Sequence, residues 1–195
     1  MPLWGATDSD ESKPKNLTTA EKKEVYATGG GWVREAGSAW SGNGNADADP
    51  EVLVAVGGLA GSIGAADVTE VEWITTAADK SAGFTLSVRV RYNEAVTVSG
   101  NPTLAVTNGN EGSGSGRGPH TLVYASGTGT NELVFSLAIA AANAATNAND
   151  VLSIGAQNIA LAGGTLKDTA DGTTNAAVAI SGGQGTAAGS ITVVA

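Results

Sequence analysis

Between residues 84 and 92 the chain alternates without a break. Phe84, Leu86, Val88, Val90 and Tyr92 are apolar, and Thr85, Ser87, Arg89 and Arg91 stand between them. A period of two puts all the apolar side chains on one face of a strand, whereas a helix would scatter them around its circumference. The β-branched and aromatic residues suit a pleated, half-buried surface. The pattern predicts one dry face, one wet face, and a second sheet covering the dry one. Residues 132–140 alternate again through Leu133, Phe135, Leu137 and Ile139. This second long segment is expected to face the first.

Shorter strands are expected at 68–74, 95–98, 103–107, 121–125, 151–154, 159–161, 177–180 and 190–194. Short strands separated by Gly, Asn and Asp turns are the signature of an antiparallel sandwich. No apolar segment of helix length is present, which disfavours α/β folds. Upstream, 25–28 and 32–34 read as two short strands across Gly29-Gly30-Gly31, and 51–58 as another. Thr18 or Thr19 with Glu21 can cap a single helical turn through Glu24. The tract 59–67 runs through Gly61 and Gly64 as a linker. The expected architecture is all-β: an N-terminal arm and small β-rich docking region over 1–66, then an Ig-like antiparallel β-sandwich over 67–195.

Composition sharpens this picture. Gly accounts for 28 of 195 residues, about twice the usual share, as many tight turns would require. The net charge of −9 argues against nucleic acid, because phosphate backbones need a basic surface, and favours solubility. The chain has no Cys, which removes disulfides, thiolate chemistry and the common zinc sites. The opening Met1-Pro2-Leu3-Trp4-Gly5 has neither a basic nor an apolar signal region, and no apolar run reaches bilayer length. Neither a secretory signal nor a membrane partner is expected.

Candidate chemistry is sparse. His120 is the one histidine, and no carboxylate and nucleophile are set around it as a triad requires. It is expected to be a solvated strand-edge residue. Acidic residues gather at 8–11, at Asp47 and Asp49, and at Asp168 and Asp171, but none completes a calcium loop. Solvated turns without metal are expected there. The Gly clusters at 29–31, 57–58 and 112–118 lack the Lys-Ser/Thr and the following helix of a phosphate loop. No catalytic residue and no cofactor is expected. Trp73 lies in an alternating strand and reads as core. Trp4 and Trp40 lie in polar, Gly-rich stretches where burial is hard. With Leu3 and Trp32 they are the candidate partner-binding residues, since exposed Trp commonly anchors interfaces.

Three segments carry a resemblance: Ala95-Val-Thr-Val-Ser-Gly-Asn-Pro-Thr-Leu104, Tyr124-Ala-Ser-Gly-Thr-Gly-Thr-Asn-Glu-Leu-Val-Phe135 and Gly163-Gly-Thr-Leu-Lys-Asp168. Their order resembles a bacterial Ig-like repeat of large cyanobacterial surface and motility proteins. The long loop at 108–119 and the turn Asp171-Gly-Thr-Thr depart from that repeat. The opening Met-Pro-Leu-Trp-Gly, the tract Asp8-Ser-Asp-Glu-Ser-Lys-Pro-Lys15 and the ending Ala188-Gly-Ser-Ile-Thr-Val-Val-Ala195 resemble small virion structural proteins of tailed phages of marine bacteria, cyanobacteria especially. That resemblance implies a non-enzymatic capsid-decoration protein on the virion surface, assembled in the host cytoplasm. Its implied partners are the major capsid protein, other virion proteins or copies of itself. A glycan-binding adhesion module, using Trp40 and the 108–119 loop, is the second expectation.

Overall fold

The computed structural model describes residues 13–109, 119–141 and 146–195, and these are mostly β. The N-terminal part holds helix α1 (Thr19–Lys23) and strands β1 (Val25–Thr28), β2 (Gly31–Arg34) and β3 (Glu51–Ala55). The body holds β4 (Val68–Trp73), β5 (Ala78–Asp79), β6 (Phe84–Ser99), β7 (Thr103–Gly109), β8 (His120–Ser126) and β9 (Thr130–Ile139). There follow β10 (Val151–Ser153), β11 (Gln157–Asn158), β12 (Thr165–Asp168), β13 (Ala179–Ile180), helix α2 (Gly182–Ala188) and β14 (Ser190–Val194).

The predicted strand at 84–92 is the first part of β6, a single strand of 16 residues. Its inward series runs on past Tyr92 through Glu94 and Val96, and every even position from Leu86 to Val96 is buried. The segments predicted at 84–92 and 95–98 are thus one element.

β6 organises the sheet. β9 pairs with it antiparallel, Leu86 opposite Leu137 and Val90 opposite Leu133. β4 pairs with its middle, Val71 opposite Val90, and β12 with its end, Leu166 opposite Val98 and Asp168 opposite Val96. The expectation that the two long segments face each other is therefore corrected: they are hydrogen-bonded neighbours in one sheet. Both alternate in phase, so side-by-side pairing turns both dry faces the same way. The cover comes from further along the strand order β6-β9-β8-β7-β10-β14-β5. Leu86, Leu133, Leu122, Leu104, Leu152, Val193 and Ala78, from successive strands of that order, share one buried cluster. The sheet curls around a common core. It is mixed, because β14–β5 and β1–β6 pair in parallel.

A second cluster belongs to the N-terminal part: Val25, Ala27, Trp32, Leu59 and Ala60. Here β3, β2 and β1 run antiparallel, and Ala27 of β1 meets Glu94 of β6. The two parts thus share a continuous strand order. The predicted helical turn is present with a full capping box. Thr18 Oγ1 accepts from the Glu21 amide at 3.2 Å, and the Glu21 carboxylate accepts from the Thr18 amide at 2.8 Å. Helix α2, Gly-Gly-Gln-Gly-Thr-Ala-Ala, was not expected. It carries the same device from Ser181 and Gln184, and Gln184 Nε2 also donates to the Val68 carbonyl at 2.7 Å. Among the described residues no helix is long and apolar enough to cross a membrane.

Candidate functional site

The candidate partner residues separate sharply. Leu3 and Trp4 lie outside the described residues. Trp32, expected at an interface, is 2% exposed and packed in the N-terminal core. That expectation is corrected: all four residues of β2 are buried, between β1 and β3. Trp73 is half-buried against the main core and donates Nε1–H to the Gly189 carbonyl at 3.3 Å. Trp40 alone of the described tryptophans stands out, 50% exposed.

Trp40 is exposed yet held. Its amide donates to Ser38 Oγ at 3.1 Å, and its carbonyl accepts from Arg34 NH1 at 3.1 Å. The same nitrogen reaches Glu51 Oε2 at 3.0 Å. Arg34 is buried, and it ties the Trp40 turn to the start of β3. Next along β3 stands Val52, 62% exposed. Among the described residues β3 ends the strand order and pairs only with β2. An open backbone edge, an exposed Val and a tethered Trp therefore lie around one corner. Glu51 also lines a cavity of about 240 Å³, together with Gly37, Ser41, Asn43 and Asp49 among others.

The outward face of β6 is exposed at Thr85 and partly exposed at Ser87 and Arg89, as alternation predicts, but it is dry at Arg91. Arg91 is 5% exposed because the N-terminal part covers it. Its NH1 donates to the Lys23 carbonyl at 3.1 Å and to both oxygens of Glu35, at 3.1 and 3.0 Å. Its NH2 lies 2.8 Å from Glu132 Oε1 and 3.3 Å from Glu72 Oε1. Arg89 pairs with the same two acids, and Lys23 pairs with Glu70. Asn131 Nδ2 donates to Glu35 Oε1 at 2.7 Å. Burial, helped by the Glu132 carboxylate, pushes the Glu35 carboxyl up against the pull of Arg91.

On the inward face Glu94 interrupts the apolar series. It is fully buried, and among the described residues no amide, hydroxyl or cation donates to either carboxyl oxygen. Burial first, then the neighbouring Asp168, Asp67 and Asp171, push its carboxyl up to about 8. Asp168, expected in a solvated turn, is 2% exposed. The expectation fails because β12 points Leu166 and Asp168 to the same side as Val98 and Val96. Asp171 does sit in an exposed turn. Its carboxylate accepts from the Thr174 hydroxyl and from the Thr174 and Thr173 amides, the latter two at 2.8 Å, which pulls it down to about 2.

His120 is also corrected. It is 6% exposed, within hydrogen-bonding distance of Thr146 Oγ1 at 3.1 Å, and burial lowers its pKa against the pull of Asp150. A polar neighbour and a strand-end position gave no hint of this cover. A last cleft, about 450 Å³, lies between α1 and β4 and is lined by Lys13, Lys22, Lys23, Thr69, Glu70 and Gln184 among others. Among the described residues no group of three or more His, Asp or Glu is placed to hold a metal ion. Comparison with protein-family models, curated proteins and solved structures gave no match.

Proposed function

We propose that this chain is a non-enzymatic structural protein of a phage particle, decorating or cementing the capsid through its N-terminal region. Its partner is the major capsid protein, another virion protein or a further copy of itself. The body over 67–195 is read as an Ig-like sandwich that projects or braces and acts by contact alone.

The observation carrying this reading is the corner formed by Trp40, Val52 and the open edge of β3. Aromatic anchors held in place lose little conformational freedom on docking. An unpaired strand edge adds main-chain hydrogen bonds to an extended partner segment. The Leu3-Trp4 tip, in the same region of the sequence, supplies a second apolar anchor. The mixed charges around it would set register more than affinity.

Co-sedimentation with intact particles tests the proposal. The full chain binds at a stoichiometry fixed by capsid symmetry, and a chain lacking residues 1–12 or carrying Trp40→Ala does not, with its melting curve unchanged. Full binding by both variants sinks the docking assignment. The adhesion reading rests on the same exposed Trp40, and is favoured instead if the isolated protein binds a glycan array and ignores capsids.

A further inference from the structure

A carboxyl group on the core side of a sheet needs either a donor or a proton. Among the described residues Glu94 has no donor, and its surroundings make the anion still harder to hold. Asp168 faces it from β12. Asp67, before β4, and Asp171, after β12, add negative charge nearby. The N-terminal part contributes Ala27, Thr28, Gly29 and Ala60 to the cavity of about 160 Å³ that Glu94 and Asp168 line. No Lys, Arg or His is among the lining residues. Ala27 is also the residue of β1 that pairs with Glu94. The acids therefore sit at the seam where the N-terminal part joins the body.

We propose that Glu94 and Asp168 share one proton and form an alkali-sensitive latch that holds β1 against β6. With the proton present, Glu94 donates to the Asp168 carboxylate and the buried pair carries a single charge. Loss of the proton to hydroxide leaves two carboxylates side by side with no cation between them. Water must then enter the cavity, and its exposed rim at Gly29 and Ala170 is the way in. The seam at Ala27 opens while the core around Leu86 and Leu133 stays closed. Asp168 keeps its own anchor, accepting the Ala170 amide at 2.7 Å, so Glu94 is the member that loses the proton.

Hydrogen exchange of the full chain between pH 6 and pH 9.5, corrected for the intrinsic rate, tests this. In the wild type, protection at Ala27, Val96 and Asp168 falls about tenfold per pH unit above the Glu94 midpoint. Protection at Leu86 and Leu133 does not fall. Glu94→Gln, which donates without ionising, removes the pH dependence. An unchanged loss of protection in Glu94→Gln overturns the proposal. Carbon-13 titration of the Glu carboxyls in Glu35→Gln covers the case in which Glu94→Gln fails to fold. One midpoint above pH 7 is expected, and none above pH 6 overturns it. Stabilisation at pH 9 by millimolar Ca²⁺, absent in Glu94→Gln, also overturns it, because the pair would then be a cation site.

Discussion

One guanidinium nitrogen of Arg91 donates to both carboxylate oxygens of Glu35, at 3.1 and 3.0 Å, across 56 positions of sequence. This contact fastens the segment after β2 to the middle of β6. The same side chain serves Glu132 and Glu72, so its removal strands several buried or half-buried acids at once. Breaking such a pair from one side costs about 3–5 kcal/mol. Arg91→Leu is expected to fall in that range in urea unfolding. Adding Glu35→Gln to it should restore part of the loss, and full additivity of the two changes would show that the residues are not coupled.

Trp32 and Trp40 give opposite expectations eight residues apart. Trp32→Ala empties the N-terminal core and should cost about 3–5 kcal/mol. Trp40→Ala removes an exposed ring and should change stability by about 0.5 kcal/mol or less. On the docking role proposed above, it should weaken particle association by about tenfold or more. Thermal melts and co-sedimentation of the two variants separate core from contact surface.

His120 is the only histidine, so its titration is unambiguous by NMR. Burial lowers its pKa below the ordinary 6.5. The folded state then binds fewer protons than the unfolded one at mildly acid pH. Its contribution to stability is complete above pH 6.5 and is lost as pH falls through the folded value. His120→Gln should flatten that acid limb, and an unaltered limb would exclude His120 as its source. Glu35 and Glu94 work in the other sense. Their raised values favour folding most below about pH 4.5, and this advantage declines as pH rises through their folded values.

Gly31 holds β2 against β3. Its φ of 132° lies in the region that L side chains avoid, and a Cβ there would collide with the Val54 carbonyl oxygen. Gly31→Ala is expected to lose about 1–3 kcal/mol. Amide exchange should show the loss concentrated in β3 and absent from β9. Uniform loss across both strands would mean that the N-terminal part does not open separately.

Much of the β architecture was legible because period-two alternation is a local signal. It marked β6 and β9 directly, and the turn-bounded runs of β4, β7, β8 and β14 nearly to the residue. Which strand lies beside which is a long-range choice, and there the reading set β6 opposite β9. Helix α2 was invisible because Gly182, Gly183 and Gly185 lower helix propensity and leave no apolar stripe. Trp32 misled because a four-residue strand buried on both faces shows no alternation, and the flanking glycines look like surface. Glu94 was missed although its signal was present. Continuing the count from Tyr92 by twos places it on the dry face of the longest strand. Stopping at the polar pair Asn93-Glu94 hid the one acid in that series.

β14 sits between β10 and β5, and pairs in parallel with Val193 opposite Ala78. Closure of the body therefore waits on a strand made more than a hundred residues after its partner. A nascent chain that stops short of Ser190 has β10 and β5 with nothing between them, and their shared neighbour Val193 missing from the core. Such late, distant pairing slows folding. The body therefore closes only once β14 has been made, and until then its half-built form leaves apolar core surface open to other chains.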